Sequence, residues 1–148
     1  MSTTGLNVFD TTVQETNEWL RAIDDELGWG DRHLAYLALR ATLHALRDHL
    51  TADEGAQLAA QLPMLIRGIY YEGWDPSRVP VRERHREQFL ARVAAAFERQ
   101  RPVDPEQMAR AVLRVLAARI SAGEAEDVRR MLPGELQELW AAPAARQR

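Results

Sequence analysis

Apolar positions recur along most of this chain at intervals of three and four, the period of an amphipathic helix rather than the alternation of a strand. Val13, Trp19, Leu20, Ile23 and Leu27 fall on one such face. Thr11 with Gln14 has capping-box spacing, so the first helix is expected from there to about Leu27. Gly28-Trp29-Gly30 closes it, because glycine takes the left-handed C-cap without a Cβ penalty. Asp31 then caps a second helix running to about His49. Leu34, Leu37, Ala38, Ala41 and Ala45 form one stripe on it, and Leu39, Leu43, Leu46 and Leu50 form another. Two stripes mean burial on more than one side, which predicts a central helix.

Thr51-Ala52-Asp53-Glu54 reads as a second capping box and opens a short helix through Leu58 and Leu62. Beyond Pro63 the run from Met64 to Tyr71 is either a new helix or a kinked continuation. Pro76 and Pro80 keep residues 73–81 extended or turned, as a linker. Phe89, Leu90, Val93 and Phe97 predict a helix from near Arg82 to near Gln100. Asp104-Pro105-Glu106-Gln107 starts another, to about Arg119. Ser121-Ala122-Gly123-Glu124 is a third capping box, followed by Leu132-Pro133 and by Leu136, Leu139 and Trp140.

A shift of 70 residues lays the second half on the first without a gap. Arg40 meets Arg110, Leu43 meets Leu113, Leu46 meets Leu116, Glu54 meets Glu124, and Leu62-Pro63 meets Leu132-Pro133. Trp19 meets Phe89 and Ile23 meets Val93. The expected architecture is all-α, a duplicated helical bundle of two pseudo-symmetric repeats with three to four helices each. It divides as a flexible arm over 1–9, a single helical domain over 10–141 and a frayed tail over 142–148. Repeat one covers about 10–74 and repeat two about 82–141. Each half has one apolar face too many to stand alone.

Composition sharpens this picture. Alanine and leucine dominate the 148 residues, in keeping with helix. All 19 basic residues are arginine, and there is no cysteine. That excludes thiol nucleophiles, zinc-thiolate and iron–sulfur sites, lysine Schiff bases and a Walker lysine. The N-terminus lacks a basic stretch and apolar core, so a cytoplasmic protein is expected, with no membrane span. Acids outnumber arginines over residues 1–60 and the reverse holds over 75–101. That uneven charge makes a general nucleic-acid binder a poor expectation.

The run Leu27-Gly28-Trp29, with Tyr36, Leu39-Arg40 and Leu43, is followed by Leu46-Arg47-Asp48-His49-Leu50 and Ala60-Gln61-Leu62-Pro63. With Arg67-Gly68-Ile69-Tyr70-Tyr71-Glu72-Gly73-Trp74, these segments resemble the bacterial family called domain of unknown function 2267. The resemblance covers about residues 8–141. It implies an all-helical bacterial cytoplasmic protein with duplicated halves, and carries no activity, cofactor or catalytic residue with it.

Candidate chemistry is sparse. His44 and Asp48 lie four apart on one helix face, where a carboxylate can fix an imidazole tautomer. Either a structural hydrogen bond or a site follows, and no further metal ligands stand at a recognisable spacing. Tyr70, Tyr71, Glu72 and Trp74 concentrate aromatic area beside the linker, as a partner surface or as a cover for the bundle end. His33, His49 and His85 are expected to face solvent. Arg78, Arg82, Arg84, His85 and Arg86 form a basic cluster able to hold a phosphate, although Glu83 and Glu87 suit intrahelical pairs with Arg82 and Arg86. No nucleophile motif or Gly-rich phosphate loop is present. The expectation is a non-enzymatic interaction or self-association module without cofactor or metal, acting through the groove between repeats or the Tyr70–Trp74 corner. The alternative is a small-molecule-binding protein or unrecognised enzyme with a cleft of His44, Asp48, Arg67 and Glu72.

Overall fold

A computed structural model describes residues 2–97 and 102–140. Among these, all regular structure is helical. In chain order the helices are α1 (Asn7–Leu27), α2 (Arg32–Asp48), α3 (Ala52–Ala59), α4 (Met64–Tyr71), α5 (Arg86–Ala95), α6 (Pro105–Arg119), α7 (Ala122–Met131) and α8 (Gly134–Trp140), with a 3-10 turn at Pro76–Arg78. The expected tail, and the expected helix end near Gln100, lie outside the described residues.

Local chemistry accounts for most boundaries. The Asp31 carboxylate accepts from the Leu34 N–H at 3.1 Å, and the Thr51 and Ser121 hydroxyls accept from the Glu54 and Glu124 N–H groups. Gly28 sits at φ 68°, and its N–H reaches the Asp24 carbonyl at 2.7 Å. Helix α3 stops at Ala59, and after a turn Pro63 precedes α4 as its N-cap, so α4 is a new helix.

Two starts differ from the sequence expectation. Helix α1 begins at Asn7, four residues before Thr11, because Asp10 in its first turn gathers the Thr4 N–H and hydroxyl. Helix α5 begins only at Arg86. Residues 79–85 instead run across the end of α2, where the Val81 N–H bonds the Asp48 carbonyl at 2.8 Å, and the Val79–Pro80 peptide bond is cis.

Helices α2 and α6 form the centre. Leu39, Leu43, Leu46, Met108, Val112 and Leu116 are inaccessible to solvent. Helix α1 packs on α2, α6 and α4, while α5 packs on α2, α6 and α8. One contiguous apolar cluster draws residues from all eight helices. No helix among the described residues is long and apolar enough to cross a membrane.

Candidate functional site

The residues singled out in the sequence occupy the end of α4 and its surroundings, but each is committed to a separate partner. His44, half-buried on α2, contacts the Ile69 carbonyl through Nε2 at 2.7 Å. Burial holds its pKa below the usual histidine value. Glu72, exposed, accepts from Arg40 Nε at 2.9 Å, and that bond lowers its carboxyl pKa. Asp48 faces the other way, to Arg47 at 3.1 Å and Arg92 at 3.9 Å. Arg67 turns back on the end of α3 and the turn after it, donating to the Ala59 and Leu62 carbonyls at 3.0 and 2.9 Å. His44 and Glu72 thus come together at one end of α4, while Asp48 and Arg67 point elsewhere.

The aromatic corner divides in the same way. Tyr70 is fully buried, and its hydroxyl donates to the Gly55 carbonyl at 2.9 Å. Burial raises its phenol pKa far above the usual value. Tyr71 and Trp74 are half-buried and lie against each other, with ring centroids 5.2 Å apart. Buried Arg47 clamps the backbone beneath them, donating from Nη1 to the Tyr70 and Glu72 carbonyls at 2.6 Å each. Arg47 is the corner's key residue, and its place in the buried stripe of α2 is the one sequence signal that marks it.

Among the described residues, six large apolar side chains are well exposed: Leu6, Val8, Phe9, Met64, Leu65 and Met131. Five of the six belong to the first turns of α1 and α4 or the residue before α1. These turns adjoin, since the Leu65 N–H bonds the Thr12 hydroxyl at 2.8 Å. Leu65 also lines a groove of about 660 Å³ between α1, α2 and α4, with Val13, Leu20, Tyr36 and Ile69 in its walls. Sequence reasoning passed over this surface. Its signal was that Met64 and Leu65 stand beside Ile66 rather than on its stripe, and that Leu6, Val8 and Phe9 crowd a supposedly loose arm.

His49 corrects another expectation. It is buried at 4% exposure against Phe89, with Nδ1 contacting the Ala45 carbonyl at 2.7 Å. His33 and His85 are exposed as expected. The expected intrahelical pairs of Arg82 and Arg86 do not form, because residues 82–85 are not helical. Glu83 instead grips Arg92 with both oxygens at 2.8 and 2.9 Å. Arg86 reaches Glu106 and Glu138.

A third arrangement joins the two halves. Glu54 on α3 and Glu124 on α7 are both buried, and neither carboxyl closes its capping box. They face each other where α3 meets α7, and each keeps one oxygen with no donor in reach. Desolvation, then the Glu54 carboxyl, push the Glu124 pKa up to about 7.

For a metal, His85, Glu87 and Glu135 can each offer one ligand atom within 4.8 Å of the others. All three are exposed. The Glu135 carboxylate is already used, accepting from the Arg86 N–H at 2.9 Å at the start of α5. Compared with known families, the chain matches the model described as uncharacterized conserved protein (DUF2267) over residues 16–139. No curated protein matches it.

Proposed function

We propose that this chain, which belongs to the DUF2267 family, is a non-enzymatic helical module that associates with a second copy of itself. The observation that carries this reading is the clustering of exposed Leu6, Val8, Phe9, Met64 and Leu65 on two adjoining helix starts. Contiguous exposed apolar side chains beside a groove mark an association surface, because leaving them in water forfeits the burial free energy that a partner would recover. A ridge and a groove side by side also make one patch self-complementary. Two copies related by a two-fold axis can then each place the ridge in the other's groove.

Size-exclusion chromatography with light scattering tests it. The expected result is a particle of about twice the 16.8 kDa chain mass, reduced to the single-chain mass by Leu65→Asp. The Leu65 side chain is 42% exposed, so the substitution leaves the core intact. A wild-type protein that stays at single-chain mass at high concentration would overturn the reading, as would an unchanged mass for Leu65→Asp.

The scaffold under this surface is, in our reading, a duplicated unit of α1–α4 and α5–α8. Three correspondences at the 70-residue offset support it. Thr51 and Ser121 cap in the same way, and Glu54 and Glu124 meet as a pair. The Leu62 carbonyl accepts from Arg67, while the Leu132 carbonyl accepts from Gln137. Cytoplasmic residence and bacterial origin belong to the same reading, on the sequence grounds given above.

A further inference from the structure

The 77–84 segment, together with the ends of α2 and α7, lines an open pocket of about 930 Å³. Arg78, Arg82, Arg84 and Arg92 contribute to its wall, with Glu83 as the single carboxylate. Glu83 is spent on Arg92 through two hydrogen bonds, and these two charges cancel. Arg78 has only Asp75, at 3.4 Å and well exposed. Arg82 and Arg84 meet no carboxylate among the described residues, although nearly every other described arginine near this end of the bundle has one. The C-terminal ends of α2 and α7 face the pocket, contributing about half a negative charge each. With Asp75 set against Arg78, that sum is still smaller than the two charges of Arg82 and Arg84, so the pocket remains electropositive.

His49 lines the same pocket, 96% buried, with its Nδ1 against the Ala45 carbonyl at 2.7 Å. Its Nε2 is turned to Glu83 at 3.5 Å, so His49 and Arg92 both face the one carboxylate of the lining. That leaves the Arg82 and Arg84 guanidinium forks without a carboxylate in an open pocket, an arrangement that suits a small anion.

We propose that this pocket binds a small phosphate-bearing anion, with Arg82 and Arg84 as its main donors and Arg78 at the rim. Planar guanidinium groups match phosphate oxygens in two-point contacts, which a point charge would not. The site lies away from the α1/α4 patch, so it stands independently of self-association.

Isothermal titration of the full chain with inorganic pyrophosphate, at near-physiological salt and matched ionic strength, tests it. The expected result is saturable binding that weakens about tenfold or more in the R82Q/R84Q double variant. Both side chains are exposed, so the variant should keep its circular dichroism spectrum and melting temperature. A parallel titration with a single-stranded ribo-oligonucleotide separates a small anion from a polymer backbone. Three results would overturn the proposal: no saturable pyrophosphate binding, unchanged binding in R82Q/R84Q, or binding of the oligonucleotide with none of pyrophosphate.

Discussion

Glu54 and Glu124 show how a single residue type can be read correctly at one level and incompletely at the next. Their positions three residues after Thr51 and Ser121 mark two helix starts, and the hydroxyls do cap the Glu54 and Glu124 N–H groups. The carboxyls, however, turn inward and meet across the α3–α7 contact. Two ionised carboxylates at such a place repel each other and lose hydration, so the pair keeps a proton in the folded state. The like charge of Asp127 adds to the effect. The Glu124 pKa is about 7 when folded, against an ordinary value of 4.5. The folded chain therefore binds this proton more tightly than the unfolded one, and the stability it supplies is present below pH 4.5 and lost as pH rises to about 7. Glu124→Gln keeps an amide donor for Glu54 and removes the titration. Urea denaturation should find the variant gaining stability relative to wild type at pH 8 compared with pH 5. An equal difference at both pH values would show that the pair does not share a proton. The buried histidines shift the opposite way, but they are common to both proteins and drop out of the comparison.

At the scale of elements, the shortest helices are held by side chains from their neighbours. Helix α4 has eight residues and no side-chain N-cap, too short to be stable alone. Arg67 ties it back to α3, and Arg47 on α2 seals its last carbonyls. Arg47→Ala should cost about 2–4 kcal/mol in urea denaturation, because charged hydrogen bonds to buried acceptors are lost together. The near-ultraviolet circular dichroism of the Tyr71–Trp74 pair should change with it. Unchanged stability and an unchanged aromatic signal would remove Arg47 from this role. Helix centres and most caps were legible because they depend on periodicity and on hydrogen bonds within a few residues. The start of α1 was not, since Asp10 gathers Thr4 in a contact that follows no capping-box spacing, and neither was that of α5, where the Glu135 carboxylate reaches the Arg86 N–H from 49 residues away.

For the whole molecule, the consequence is mutual dependence of the halves. Helix α1 lies on α6 as well as α2, and α5 lies on α2 as well as α6, so each half completes the core of the other. A fragment of residues 1–74 would leave Leu39, Leu43 and Leu46 without much of their cover. It should show little cooperative thermal unfolding by circular dichroism, and mixing with a fragment of residues 75–148 should restore it. Cooperative folding of either fragment alone would contradict this dependence. The sequence by itself determined the helical class, the order of the helices and the central place of α2, because these follow from the 3.6-residue period and from caps acting locally. It also marked the residues around α4, His44 and Glu72 among them. Only the tertiary structure decided their roles, sending Arg67 and Asp48 to separate partners, burying Tyr70 and His49, and bringing Leu65 against Thr12 of α1. Those outcomes depend on which distant helix supplies the nearest carbonyl, carboxylate or apolar wall, and the period of a single helix carries no information about its neighbour.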